Sequence, residues 1–215
     1  MVIGGFYAFE DDRTVSNLPH IHGKTDIINS LEVMRKFLYG TIKISICSLM
    51  IRRELIDNFE LRFAEGYKYS EDIHFVWRLL AHTNKVAFDS THLYYYRMRT
   101  WSAMAKFNES RLDGMYLMQY LEEYFKNHCK NFAGEFLKYG VARWIWATMW
   151  QASCALLYGE FKDFCIKLRA NEMMTKLKSF PDARVRVSSR IFTLSNYVYY
   201  VSSRIAARLG KVNRF

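Results

Sequence analysis

The apolar positions of the first hundred residues change period several times along the chain. Met1 to Phe9, with Val-Ile-Gly-Gly-Phe-Tyr-Ala-Phe, predicts a strand starting inside a fold, and Glu10-Asp11-Asp12-Arg13 predicts the turn after it. Pro19 to Gly23 is a loop. Thr25 or Asp26 is expected to cap a helix carried by Ile27, Ile28, Leu31, Met34, Arg35 and Leu38 and stopped by Gly40. Thr41 to Ile51 alternates, with Ile42, Ile44 and Ile46 on one face, and predicts a second strand. Ser70-Glu71-Asp72 then opens a helix over Ile73, Val76, Trp77, Leu79 and Leu80, with Ser70 as N-cap and two carboxylates in the first turn. Lys85 to Phe88 predicts a strand, Asp89-Ser90-Thr91 a turn, and Leu93 to Met98 a further extended segment.

From Phe107 onward the period is helical throughout. Leu117, Leu121, Tyr124 and Phe125, then Leu137, Val141, Trp144, Ile145, Thr148 and Ala152, then Phe161, Phe164, Cys165 and Leu168 predict three or four packed helices. The uncharged run from Trp144 to Gly159 is shorter than the roughly 20 apolar residues a spanning helix needs, and it contains Gln151 and Ser153, so it predicts a buried helix. No acidic residue follows Ala183, whereas Ile191, Leu194, Val198, Val201 and Ile205 recur at three and four between basic residues. That pattern predicts a basic amphipathic C-terminal helix suited to an anionic membrane surface through residues 184–214; a core helix with a solvated basic face is the alternative. The expected organisation is an α/β part over 1–105, a helical extension over 106–182 and the basic helix over 183–215.

Composition narrows the function classes. The 215 residues are 51% apolar and 17% aromatic, enough for a sizeable core with aromatics left to line a groove or meet a membrane. A net charge of +10 points to an anionic partner, be it a nucleotide-sugar diphosphate, a lipid headgroup or a nucleic acid. No helix-turn-helix, zinc-finger or RNP signature is present, so nucleic acid is not expected as a partner. Four cysteines without Cys-x-x-Cys spacing predict reduced thiols, and a short opening apolar stretch without a basic leader predicts a cytoplasmic protein. His20 and His22 with Asp26 form a weak metal pattern, having no fourth ligand at motif spacing.

On residue pattern alone, Glu71 and Asp72 are capping acids that complement the helix dipole. They stand, however, in a longer ordered string. It comprises Ser48-Leu49-Met50-Ile51-Arg52-Arg53-Glu54-Leu55-Ile56, Arg62-Phe63-Ala64-Glu65-Gly66, Ser70-Glu71-Asp72, Lys85-Val86-Ala87-Phe88, and Tyr94-Tyr95-Tyr96-Arg97-Met98-Arg99-Thr100-Trp101-Ser102. From about Thr41 to Ser102 this string resembles the acceptor-side half of the family 2 glycosyltransferases of the GT-A fold, especially bacterial enzymes that build capsular, O-antigen and exopolysaccharide chains.

The resemblance implies a partial GT-A-like mixed sheet with flanking helices, followed by a variable helical region. It implies an inverting transfer from a nucleotide-sugar donor to a polysaccharide or lipid-linked glycan acceptor, with Asp72 as general base and Glu71 orienting the acceptor or the nearby loop. Arg97 and Arg99 would meet the donor diphosphate, with solvated surface arginines as the alternative. Tyr96 and Trp101 would contact substrate, although Trp101 equally suits a core. A divalent ion, Mg or Mn, is expected of the complete enzyme, and His92 lies where some GT-A enzymes place a metal-binding histidine. Glu10-Asp11-Asp12 does not match the family's Asp-x-Asp, because only nine residues precede it. The chain is therefore expected to lack the donor-binding half, and a non-catalytic truncated fragment that binds or scaffolds at the membrane is the competing reading. A homo-oligomer fits either one.

Overall fold

The computed structural model describes residues 1–10, 18–99 and 107–209. Strands β1 (Val2–Glu10), β2 (Thr25–Asn29), β3 (Leu49–Met50) and β4 (Lys85–Met98) form one mixed sheet in the order β2-β4-β1-β3. Strands β1 and β4 run parallel from Val2 beside Ala87 to Glu10 beside Met98, while β2 and β3 are antiparallel neighbours of β4 and β1.

The turn expected at Asp89–Thr91 is absent, and β4 continues through it. The register with β1 shifts on both sides of Gly5, so the extra residues of β4 bulge across it. A Cβ on Gly5 would lie 2.7 Å from the Thr91 carbonyl oxygen and 2.8 Å from that of Ser90, which is why glycine stands there.

The helix expected from Thr25 begins later. Thr25–Asn29 is an edge strand, and the Thr25 hydroxyl donates to Asp89 Oδ2 at 3.0 Å. Helix α1 (Ser30–Tyr39) follows, capped by Asn29 Oδ1, which accepts from the Leu31 amide at 2.9 Å, and closed by Gly40 at φ 74°. The adjacent pair Ile27 and Ile28 suits a strand as well as a helix: Ile28 packs on the core and Ile27 is exposed. The strand expected over Thr41–Ile51 shrinks to Leu49–Met50, preceded by one 3₁₀ turn at Ile46–Ser48 that Ser45 caps.

Helices α1 and α3 (Glu71–Ala81) cover the sheet through Val33, Met34, Val76 and Leu80 against Ile3 and Val86. On its other flank α3 buries Phe75 and Leu79 with Leu61, over which α2 (Arg53–Asn58) lays Leu55.

The remainder is helical: α4 (Arg111–His128), α5 (Lys130–Ala155), α6 (Tyr158–Lys167), α7 (Ala170–Lys176), α8 (Ala183–Leu194) and α9 (Asn196–Arg208). Trp77 of α3 joins the two parts, its ring 5.9, 5.6 and 5.4 Å from those of Phe125, Phe132 and Phe136. Burying each such ring contributes about 1.5–3 kcal/mol, so much of the aromatic content is spent on the core. One apolar cluster runs from Ile3 to Tyr199. The single basic helix expected over 183–215 is two helices among the described residues. Ser195 breaks it, and its hydroxyl accepts from the Val198 amide at 3.3 Å to start α9. Among the described residues no helix is long and apolar enough to cross a membrane.

Candidate functional site

The loop from Leu61 to Ser70 reaches α3 already fixed on two sides. Phe63 stacks on Phe75 of α3 at 4.4 Å, Gly66 takes the left-handed conformation at φ 81°, and Arg78 of α3 donates to the Arg62 carbonyl at 3.2 Å. On the other side the Lys68 amide donates to Asp113 Oδ2 of α4 at 2.9 Å. Arg111, also of α4, lays its guanidinium 4.5 Å over the Tyr69 ring and donates to the Tyr69 hydroxyl and to Gln151 Oε1 of α5.

Ser70 starts α3, but not as an ordinary cap. Its backbone is left-handed at φ 66° and its side chain makes no cap hydrogen bond. The hydroxyl instead accepts from Trp144 Nε1 of α5 at 3.3 Å. A non-glycine residue in that conformation costs about 1 kcal/mol, offset here by contacts from α4 and α5. Gly114 of α4 permits the approach: a Cβ there would overlap the Trp144 ring and come within 2.7 Å of Ser70 Oγ.

The two carboxylates sit in the first turn of α3, both partly exposed. Asp72 Oδ1 accepts from the Ile73 amide at 2.7 Å. Burial pushes the Tyr69 phenol above its usual pKa; Arg111 pulls it back, while Asp72, Glu71 and Tyr96 push it further up. Asp72, Glu71, Tyr96 and Arg111 therefore all act on the charge of one half-buried phenol, and Arg111 touches it directly. Arg111 is itself buried, which draws its guanidinium below the usual range, and its Nε has no hydrogen-bond partner.

The other expected site residues are placed less closely. Arg97 follows Tyr96 on β4, so it projects from the opposite face, with its guanidinium 5.2 Å over the Phe9 ring. Arg99 lies just past the end of β4 and is exposed. Trp101 falls outside the described residues, as do Asp11 and Asp12. His92 lies 5.6 Å from the Tyr7 ring, and its Nδ1 is buried without a partner. His20 Nδ1 is paired with the Tyr95 hydroxyl at 3.0 Å. Among the described residues no three His, Cys, Asp or Glu side chains gather to hold a metal ion, so His20, His22 and Asp26 do not form the site their spacing suggested. The described residues thus do not fit a divalent ion on their own.

The roles of Arg111 and Trp144 carried no signal in the sequence, because each meets the loop from an element more than 40 residues away, and Gln151 meets Arg111 across 40 residues. Chemically, the arrangement presents a carboxylate pair at a partly exposed helix start, with a phenol and a guanidinium behind it.

No family model and no curated protein matches the sequence. Among solved structures, the chain is similar to S. aureus TarS 1–349 in complex with UDP-GlcNAc, with a TM-score of 0.53 and 15% identity, covering 100% of this chain and 61% of that one. The likeness is one of fold, an α/β architecture with a four-stranded mixed sheet and a large helical share. The chain spans about three fifths of the length of that structure.

Proposed function

We propose that the chain is part of an inverting glycosyltransferase of the GT-A type, moving a sugar from a nucleotide-sugar donor to a cell-surface polysaccharide or lipid-linked glycan. The observation that carries this reading is the partly exposed Asp72, beside Glu71 in the first turn of α3, on a glycosyltransferase-like fold. The UDP-GlcNAc of the TarS complex supports a nucleotide sugar as donor.

In this reading Asp72 takes the proton of an acceptor hydroxyl as that oxygen bonds to the anomeric carbon. The bond from that carbon to the diphosphate oxygen breaks, its electrons leave with the nucleoside diphosphate, and attack from the opposite face inverts the centre. The hydrogen bond from the Ile73 amide fixes Oδ1, which orients the carboxylate. Glu71 and Tyr96 position the acceptor, and Arg99, exposed just past the end of β4, meets the diphosphate charge; Arg97, on the sheet face opposite Tyr96, is left without a part in the transfer.

The test is sugar transfer by the full-length polypeptide from a panel of nucleotide sugars to glycan acceptors, with Asp72→Asn in parallel. Transfer that the variant loses supports the reading. Equal transfer by both proteins, or none by either, contradicts it and favours a non-catalytic binding module.

A further inference from the structure

Helices α8 and α9 bury one face and leave the other uncovered. Val185, Ser189 and Phe192 of α8 and Tyr199 and Ser203 of α9 point into the core. On the opposite side of α9, Tyr197, Val198, Val201, Ile205 and Leu209 form an exposed apolar stripe at helical spacing, and Leu194, 86% exposed, ends α8 just before it in the chain. A stripe of this kind rimmed by polar residues marks an interaction surface, since the core face of each helix is already satisfied without it.

The charges around the stripe decide between occupants. Three basic side chains of the segment are engaged within the chain: Arg184 pairs with Asp182 at 2.8 Å, Arg186 donates to the carbonyls of Phe180 and Pro181, and Arg204 donates to the carbonyls of Ser153 and Leu156. Arg190 and Arg208 are exposed at the edge of the stripe and meet no acid among the described residues. From Ala183 onward the sequence holds no Asp or Glu, so a second copy docked face to face would set these arginines against their own kind. A surface of phosphate headgroups over hydrocarbon satisfies both features. The aliphatic side chains and the Tyr197 ring enter the boundary layer while the guanidiniums stay at headgroup level.

We propose that the outer face of α8 and α9 docks on an anionic phospholipid bilayer. It shares no residue with the Asp72 site and stands or falls separately from the glycosyltransferase reading.

The experiment is co-sedimentation of the full chain with vesicles of phosphatidylcholine alone and with vesicles partly of phosphatidylglycerol, at low and high salt. Binding is expected to the anionic vesicles only and to weaken with salt. Val201→Asp combined with Ile205→Asp should abolish it with an unchanged melting temperature. Arg190→Gln, which leaves the apolar stripe intact, should lower the partition coefficient about fivefold. Equal binding to both vesicle types, no binding to either, or anionic binding that both variants retain would overturn the proposal. So would a dimer in sedimentation velocity that Val201→Asp dissolves without any vesicle binding, which would assign the stripe to a second copy.

Discussion

The indole Nε1 of Trp144 donates to the hydroxyl of Ser70 at 3.3 Å, across 74 residues of sequence. This bond ties α5 to the residue that launches α3 and orients the turn carrying Glu71 and Asp72. Ser70 is buried, so removing its oxygen leaves an indole N–H unpaired in a tight site. Ser70→Ala is expected to lower stability by about 1–2 kcal/mol. Trp144→Phe in the same background should cost less than it does alone, because no N–H is then stranded. A double-mutant cycle by urea denaturation measures that coupling; strictly additive losses would refute it.

Gly114 reverses the usual rule for helix glycines. In a free helix interior, Gly→Ala stabilises by about 1 kcal/mol. Here the added methyl overlaps the Trp144 ring and crowds Ser70, so Gly114→Ala is expected to destabilise by about 1–3 kcal/mol. Thermal melts of the two proteins decide the sign.

His74 makes the fold acid-sensitive. It is buried in α3 with both ring nitrogens unpaired, next to the edge of Tyr120, and burial, aided by Arg78, lowers its pKa from 6.5 to about 4. Below pH 6.5 the unfolded chain takes up a proton that the folded chain refuses. Its contribution to stability is therefore complete above that pH and is lost as pH falls toward about 4, at up to about 1.4 kcal/mol per pH unit. His74→Phe should flatten this limb and leave stability at pH 8 equal or higher. Denaturation midpoints across that range check it, and an unchanged acid slope would count against it.

The elements most legible in the sequence were those with many periodic positions. The start of α3 follows from Ser70-Glu71-Asp72 before Ile73, Val76 and Trp77, and the long helices α4 and α5 from their three-and-four spacing. Short or irregular elements were not legible. Five residues of β2 fit two periods equally well, and polar Asp89-Ser90-Thr91 reads as a turn until Gly4 and Gly5 of a distant strand are set beside it. Ser195 looks like an ordinary polar position of one long helix until its hydroxyl is seen capping α9. At the site, the carboxylate pair was visible because its residues are adjacent. The buried Arg111, placed between Tyr69 and Gln151, was not, because nothing local distinguishes it from a surface arginine at a helix start.

The proposed transfer depends on Asp72 acting as the base. The most direct measurement is the rate of sugar transfer by wild type and Asp72→Asn, with melting temperature as a control for folding. The substitution keeps the shape and an oxygen for the Ile73 amide but removes the basic carboxylate. The rate is predicted to fall about 10²–10⁴-fold with the melting temperature nearly unchanged. A variant that transfers sugar as fast as the wild type would contradict the assignment.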